Sequence, residues 1–214
     1  MFTGIIEEIG QLKTISRRGN TLLLTISAKL ILSDIHIGDS IAVNGVCLTV
    51  TQFNQSSFTA DVMPVTFQTS NLSVLKPNSQ VNLERAMAAN GRFGGHIVSG
   101  HIDGIATIIE KSITENAILY HIKLPDELSH YCIVKGSIAI DGTSLTLVNV
   151  VKNVIAVALI PHTREKSILG NKNVGDSVNI ECDILAKQLS SSKQPSIKKP
   201  SGLNESFLQE HGFI

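Results

Sequence analysis

Ser40-Ile41-Ala42-Val43-Asn44-Gly45-Val46-Cys47-Leu48-Thr49-Val50 returns as Ser137-Ile138-Ala139-Ile140-Asp141-Gly142-Thr143-Ser144-Leu145-Thr146-Leu147, an offset of 97 residues. In both copies isoleucine or valine alternates with small or polar residues, the period of a half-buried strand. Asn44-Gly45 and Asp141-Gly142 are two-residue turn signals, because Asn, Asp and Gly tolerate positive φ. Each copy reads as strand, tight turn, strand.

The repetition extends well beyond the hairpin. At the same offset Pro64, Thr66, Ser70 and Leu72 fall on Pro161, Thr163, Ser167 and Leu169. Val81-Asn82-Leu83-Glu84 falls on Val178-Asn179-Ile180-Glu181. With one residue inserted, Phe2-Thr3-Gly4-Ile5-Ile6-Glu7 falls on Val98-Ser99-Gly100-His101-Ile102-Asp103. A period this long is a duplicated domain rather than a solenoid repeat. It divides the chain into residues 1–90 and 97–187, each long enough for a small core. The Gly-rich stretch Ala86 to Gly95 is the linker between them.

Along each half, short β-branched runs alternate with turns, the pattern of a barrel or sandwich. Residues 2–12 and Ile97 to Ile109 read as opening strands. Ala28 to Ile35 reads as a short helical turn, and Asp126 to Cys132 as a short helix. Thr66 to Leu75 reads as a helix with a Thr or Ser cap; Thr163 caps its counterpart through Leu169. Ser190 to Gly202 reads as a mobile linker. Beyond it, residues 203–212 read as a docking helix, with Asn204 as N-cap and Gly212 at C′. So short a helix is marginal alone.

Composition narrows the function classes. The 43% hydrophobic content supports packed cores. Net charge is +0, so nucleic acid is not expected as a partner. No apolar run reaches the ~20 residues of a membrane span. Met1 to Glu8 lacks the basic start of a signal peptide. Cys47, Cys132 and Cys182 are odd in number and lack CxxC spacing, which suits a reducing cytoplasmic setting.

His96 and His101 invite a metal reading, but residues five apart on a strand face opposite ways. No third ligand stands at metal-site spacing. The glycines of residues 91–104 match neither GxGxxG nor Walker spacing, and no GxSxG elbow is present. Reactive groups stand where the two copies differ. Cys47 faces Ser144, Ile5 faces His101, and Thr3 faces Ser99. A thiol, a hydroxyl and an imidazole are groups able to act as nucleophile, hydrogen-bond partner and general base.

Met1-Phe2-Thr3-Gly4-Ile5, Asn44 to Val50, Gly94-Gly95-His96-Ile97-Val98-Ser99-Gly100-His101-Ile102 and Asp141 to Leu147 together resemble the riboflavin synthase α-chain family. The resemblance covers about residues 1–187, and Phe207 to Phe213 is similar to the family's last helix. It implies an all-β fold of two tandem six-stranded antiparallel Greek-key barrels plus a C-terminal helix. It also implies a homotrimer and no cofactor or metal. The implied reaction is a dismutation of two 6,7-dimethyl-8-ribityllumazine molecules into riboflavin and 5-amino-6-(ribitylamino)uracil.

By motif, the resemblance assigns one pocket Gly4, Ile5, Ile6, Cys47, Leu48, Thr49 and Asp61-Val62-Met63-Pro64-Val65-Thr66. It assigns the other Gly100, His101, Ile102, Ser144, Leu145, Thr146 and Ile160-Pro161-His162-Thr163-Arg164-Glu165. Lys135 matches a lysine that reaches the ligand across a subunit boundary. Phe2, Ser40 and Asp183 match residues at or near the site. His101, helped by Ser144 and Thr146, is the candidate base, and Cys47 the candidate for stabilising or adding to the acceptor ring. The resemblance extends to non-catalytic lumazine- or flavin-binding proteins, the alternative function. Docking on a lumazine synthase shell stays open. A flavin reductase would need a nicotinamide-binding domain that the chain lacks.

Overall fold

The computed structural model describes residues 1–114, 116–191 and 205–212. Their strands close into two six-stranded antiparallel barrels. The first contains β1 (Glu8–Arg18), β2 (Thr21–Ser27), β3 (Ser40–Val43), β4 (Val46–Asn54), β5 (Ser57–Val62) and β6 (Gln80–Arg85). The second contains β7 (Gly104–Ile113), β8 (Ile118–Lys123), β9 (Ser137–Ile140), β10 (Thr143–Val151), β11 (Val154–Leu159) and β12 (Ser177–Cys182). The lateral order β1-β2-β5-β4-β3-β6 is repeated by the equivalent strands of the second half. Closure leaves neither sheet a free edge.

Strand alternation sorts the side chains. Val46, Leu48 and Val50 of β4 are buried inside the first barrel, whereas Cys47 and Thr49 face out. Leu145 and Leu147 of β10 are buried, and Ser144 and Thr146 face out in the same way. Each barrel is filled: Leu24, Ile26 and Phe58 in the first and Ile155, Leu159 and Ile180 in the second are 0% exposed. Burial of one such side chain contributes about 1.5–3 kcal/mol. With the interiors full, any ligand site lies on an outer face.

The repeated hairpins meet tip to tip. Asn44 and Gly45 have φ of 47° and 80°, and Asp141 and Gly142 have 45° and 79°, the all-positive turn their sequence predicts. A Cβ on Gly45 would stand 2.7 Å from the Gly142 nitrogen, so only glycines allow this approach. Around the tips Asn44, Asn71, Asn82, Asp141 and Asn179 are buried and bonded across the junction. The Asn179 side-chain amide donates to the Asn44 carbonyl at 2.9 Å, and the Asn82 side-chain amide to the Asp141 carbonyl at 2.8 Å. Removing one partner of such a buried pair costs about 1–3 kcal/mol.

Several local expectations change. The opening strands begin later, at Glu8 and Gly104. Gly4 and Gly100 take φ of 78° and 85°, which breaks the extended run and leaves Phe2 and Val98 in an isolated antiparallel bridge. Residues 28–35 form no helix; the Glu8 carboxylate accepts from the Lys29, Leu30 and Ile31 amides at 2.7–3.0 Å and holds a turn. Helix α1 is Pro64–Gln68, followed by a 3-10 turn at Asn71–Val74; α2 is Pro161–Lys166, followed by one at Ile168–Asn171. Neither helix has a side-chain cap, because proline at its start supplies the needed φ without an amide to satisfy. Asp126–Tyr131 is a 3-10 turn. Helix α3 (Ile184–Ser191) was not anticipated.

Helix α4 spans Glu205–Glu210, with Gly212 at φ 73° beyond it. The proposed cap Asn204 and most of the expected linker lie outside the described residues. No helix among the described residues is long and apolar enough to cross a membrane.

Candidate active site

The segments that lead into the two barrels cross over. Residues 2–4 precede the first barrel, yet the Ser144 amide of the second donates to the Gly4 carbonyl at 2.7 Å. Residues 98–100 precede the second barrel, yet the Cys47 amide of the first donates to the Gly100 carbonyl at 2.9 Å. Between the barrels the segments pair with each other through Phe2 and Val98, at 2.7 and 3.1 Å. Phe2 and Val98 are buried against Ala42 and Ala139. The small alanines leave room for the crossing backbones.

Each crossing segment is held by one carboxylate. Glu84 Oε1 accepts from the Thr3 amide and hydroxyl at 2.7 and 2.8 Å, and Oε2 accepts from the Gly4 amide at 3.0 Å. Glu181 repeats this with the Ser99 amide and hydroxyl at 2.6 and 2.7 Å and the Gly100 amide at 2.9 Å. Burial pushes the Glu84 carboxyl above the usual carboxylate range, and the bonds from Thr3 and Gly4 pull it back.

Two cavities follow from this crossing. One, of about 420 Å³, is lined by Val46, Cys47, Val65, Thr66, Gly100, His101 and Ile102. The other, of about 80 Å³, is lined by Gly4, Ile5, Ile6, Ser144, His162 and Thr163. This corrects the composition expected for the two pockets. Gly4, Ile5 and Ile6 belong with Ser144 rather than with Cys47. Gly100, His101 and Ile102 belong with Cys47, so the thiol and the imidazole share one cavity. A further cavity, of about 360 Å³, lies on the outer side of Thr3 and Glu84. Its Arg85 is already paired with Glu7 and Asp34.

The other expected residues take varied positions. Thr49 and Thr146 stand exposed on the outer faces, two residues beyond Cys47 and Ser144. Asp61 lies opposite Thr49, accepts from Thr51 and pairs with Arg18. Ser40 pairs with Thr49 across β3 and β4. Leu48, Val62 and Leu145 point into the cores. Met63, Ile160, Arg164 and Glu165 are exposed, and Pro64 and Pro161 open α1 and α2. Lys135 is exposed in a turn at φ 69°, outside both cavities. Asp183 accepts from the Leu185 amide at the start of α3.

His96 was not among the expected site residues. Its Nδ1 lies 2.7 Å from Ser144 Oγ, while the buried Nε2 has no partner among the described residues. Burial lowers its pKa, against the opposing pull of Asp183 and Glu181. Its proximity to Gly95 was the available signal. A Cβ on Gly95 would stand 2.9 Å from Ser144 Cβ and 2.1 Å from the Thr3 carbonyl, so glycine is what lets this segment lie against Ser144.

Paired barrels of this topology, each with an outer cavity completed by the other's leading segment, define a protein of two lumazine-binding domains. The Lumazine binding domain family model matches residues 3–86 and 99–183, so each matched unit begins with its crossing segment. Riboflavin synthase of Actinobacillus pleuropneumoniae is 51% identical over 215 aligned positions, covering 100% of both chains. That of Bacillus subtilis (strain 168) is 47% identical over the same span. The chain belongs to the riboflavin synthase family. Among solved structures, LumP complexed with riboflavin has a TM-score of 0.79 at 26% identity, over 85% of this chain and 99% of that one. LumP complexed with 6,7-dimethyl-8-(1'-D-ribityl) lumazine has a TM-score of 0.77 at the same identity and coverage.

Proposed function

We propose that this chain is a riboflavin synthase that transfers a four-carbon unit between two molecules of 6,7-dimethyl-8-ribityllumazine. Riboflavin and 5-amino-6-(ribitylamino)uracil are the products. The observation that carries this reading is a pair of cavities at corresponding places of the two repeats, with unequal chemistry, on one chain. Two identical substrates that play donor and acceptor need two related sites with different reactive groups. Cys47 with His101 in one cavity, and Ser144 with His162 in the other, meet that need, the Ser144 hydroxyl being held from behind by the buried His96.

In this reading His101 takes the acidic proton of a lumazine 7-methyl group, and the Cys47 thiol stabilises or adds to an acceptor ring. Ser144 and Thr146 supply hydrogen bonds, and the flanking stretches 61–66 and 160–165 bind the rings and ribityl chains. Stacking two rings face to face makes their encounter effectively unimolecular, a gain of about 7–11 kcal/mol when orientation is right. The two cavities of one chain lie on outer faces, so the working site brings the Cys47 cavity of one chain against the Ser144 cavity of a neighbour. We read the assembly as a cytoplasmic homotrimer in which Lys135 reaches a neighbour's ligand, as the family resemblance implies. Incubating the purified protein with 6,7-dimethyl-8-ribityllumazine and following riboflavin absorbance tests the activity. Tight binding without riboflavin formation would make the chain a lumazine-binding protein instead.

A further inference from the structure

We propose that Glu84 and Glu181 are crossed positioning residues: each glutamate, on the last strand of one barrel, fixes the wall of the other barrel's cavity. The register shows how. In the first barrel Cys47, Ala42 and Glu84 lie side by side across β4, β3 and β6. In the second, Ser144, Ala139 and Glu181 lie side by side across β10, β9 and β12. The glutamate is therefore two strands from its own barrel's reactive residue. What it grips is the leading segment of its own half, and that segment ends against the opposite barrel. Glu181 holds Ser99 and Gly100; Gly100 carries His101 and accepts the Cys47 amide. Glu84 holds Thr3 and Gly4; Gly4 carries Ile5 and accepts the Ser144 amide.

A carboxylate suits this position, because all three groups that point at it are donors. Glutamine keeps one acceptor oxygen and turns an NH2 towards the glycine amide. That bond is lost and donor faces donor. Alanine would leave three donors without an acceptor. The Gln substitution is thus a local loosening of one wall. The inference rests on the two cavities being the working sites, but its test reads the walls without turnover. A chain that made no riboflavin would still give or refuse the labelling pattern.

The test is the alkylation rate of the full chain by iodoacetamide, followed on the Cys47 peptide by mass spectrometry. Glu181→Gln raises the Cys47 rate about tenfold, the scale of one lost charge-assisted hydrogen bond. Glu84→Gln leaves that rate close to wild type although Glu84 shares a barrel with Cys47. In a Cys47→Ser, Ser144→Cys background the pattern inverts: Glu84→Gln accelerates labelling at position 144 and Glu181→Gln does not. Should a Gln variant fail to fold, Ser99→Ala and Thr3→Val each delete a single hydroxyl bond to the same carboxylates. They accelerate Cys47 and position 144, respectively, by a smaller factor; Ser99→Ala also removes the 3.3 Å bond that the His101 amide donates to the Ser99 hydroxyl, so the Thr3→Val result is the cleaner of the two. Equal acceleration at both positions by either change, or acceleration confined to the barrel that carries the glutamate, overturns the proposal. So does no acceleration anywhere.

Discussion

The Ser144 hydroxyl lies 2.7 Å from Nδ1 of His96, a residue of the linker rather than of either barrel. The ring is buried, and its pKa is lowered mainly by that burial. The imidazole is therefore neutral near neutral pH and orients the Ser144 oxygen. Asparagine places an amide where Nδ1 stands; glutamine reaches further, to where Nε2 stands. His96→Asn should thus keep most of the activity, while His96→Ala and His96→Gln lower kcat about tenfold, as loss of an orienting bond does. A depressed histidine contributes stability above its unfolded value near 6.5 and loses it as pH falls through the folded value. Melting curves of wild type and His96→Asn should converge on acidification below that value. Parallel curves at every pH would show that His96 does not titrate with folding.

Asp141 gives the opposite sign. Its Oδ1 accepts from the Asn71 side chain at 2.7 Å and the Asn179 amide at 2.8 Å, while among the described residues Oδ2 has only Lys172 at 3.6 Å. Burial pushes its pKa up, against the pull of Lys172 and these bonds. A raised carboxyl contributes stability below its unfolded value and loses it as pH rises through the folded value. Asp141→Asn copies the residue at the matched position Asn44. It should gain stability relative to wild type as pH rises above the ordinary 3.8. Asp141→Ala, which strands two buried donors, should lose on the order of 2–5 kcal/mol in urea unfolding. An Asn variant as damaged as the Ala variant would mean that the charge itself is needed.

Cys47 and His101 share a cavity, and His101 is exposed. Cys47→Ser and His101→Gln should each lower turnover about tenfold or more with the melting temperature unchanged. Because both changes damage the same cavity, a mixture of the two variant chains should stay inactive. A mixture of Cys47→Ser with Ser144→Ala chains, dissociated and reassociated, should recover activity. There an intact Cys47 cavity of one chain meets an intact Ser144 cavity of another. Absence of recovery, with mixed oligomers confirmed by native mass spectrometry, would place the site within one chain.

The hairpins, the barrels and the unequal pair Cys47 and Ser144 were legible in the sequence because each is local or recurs at a fixed offset. The crossing was not. A duplication identifies Gly4 with Gly100 and Cys47 with Ser144, but either pairing between them satisfies the repeat equally well. Only the three-dimensional path, turned by glycines at positive φ, decides that Gly4 meets Ser144. Glu84 and Glu181 were visible as repeated letters with no hint of their donors, since Thr3 lies 81 residues from Glu84. His96 could be read as a ligand or a strand residue; its partner Ser144 is 48 residues away. Long-range polar pairs leave no period in a single sequence.

The crossing also says how half of this chain should behave. Residues 1–95 contain all of β1–β6 and a complete core, so the fragment should fold as a β-rich barrel. As a monomer it would expose Phe2 and Ala42, which pack against Val98 and Ala139 in the full chain. Its Cys47 amide would lose the Gly100 carbonyl, and its Thr3–Gly4 segment, still gripped by Glu84, would lose Ser144. A second copy can restore both. Thr3 and Gly4 match Ser99 and Gly100, so the leading segment of each copy can lie against the Cys47 hairpin of the other. The two Phe2 residues would then pair as Phe2 and Val98 do now. The tips at Asn44 and Gly45 would meet as Asn44-Gly45 meets Asp141-Gly142, with glycine again allowing the contact. We expect a twofold dimer by sedimentation, with two equal ligand sites by fluorescence titration, each walled by Ile5 where the full chain has His101. It should bind riboflavin without making it. Gly45→Val places side chains where the tips touch and should leave a folded monomer with much weaker binding. A wild-type fragment that is folded and monomeric at high concentration, yet binds ligand as tightly as the full chain, would show that the Cys47 cavity needs no borrowed wall.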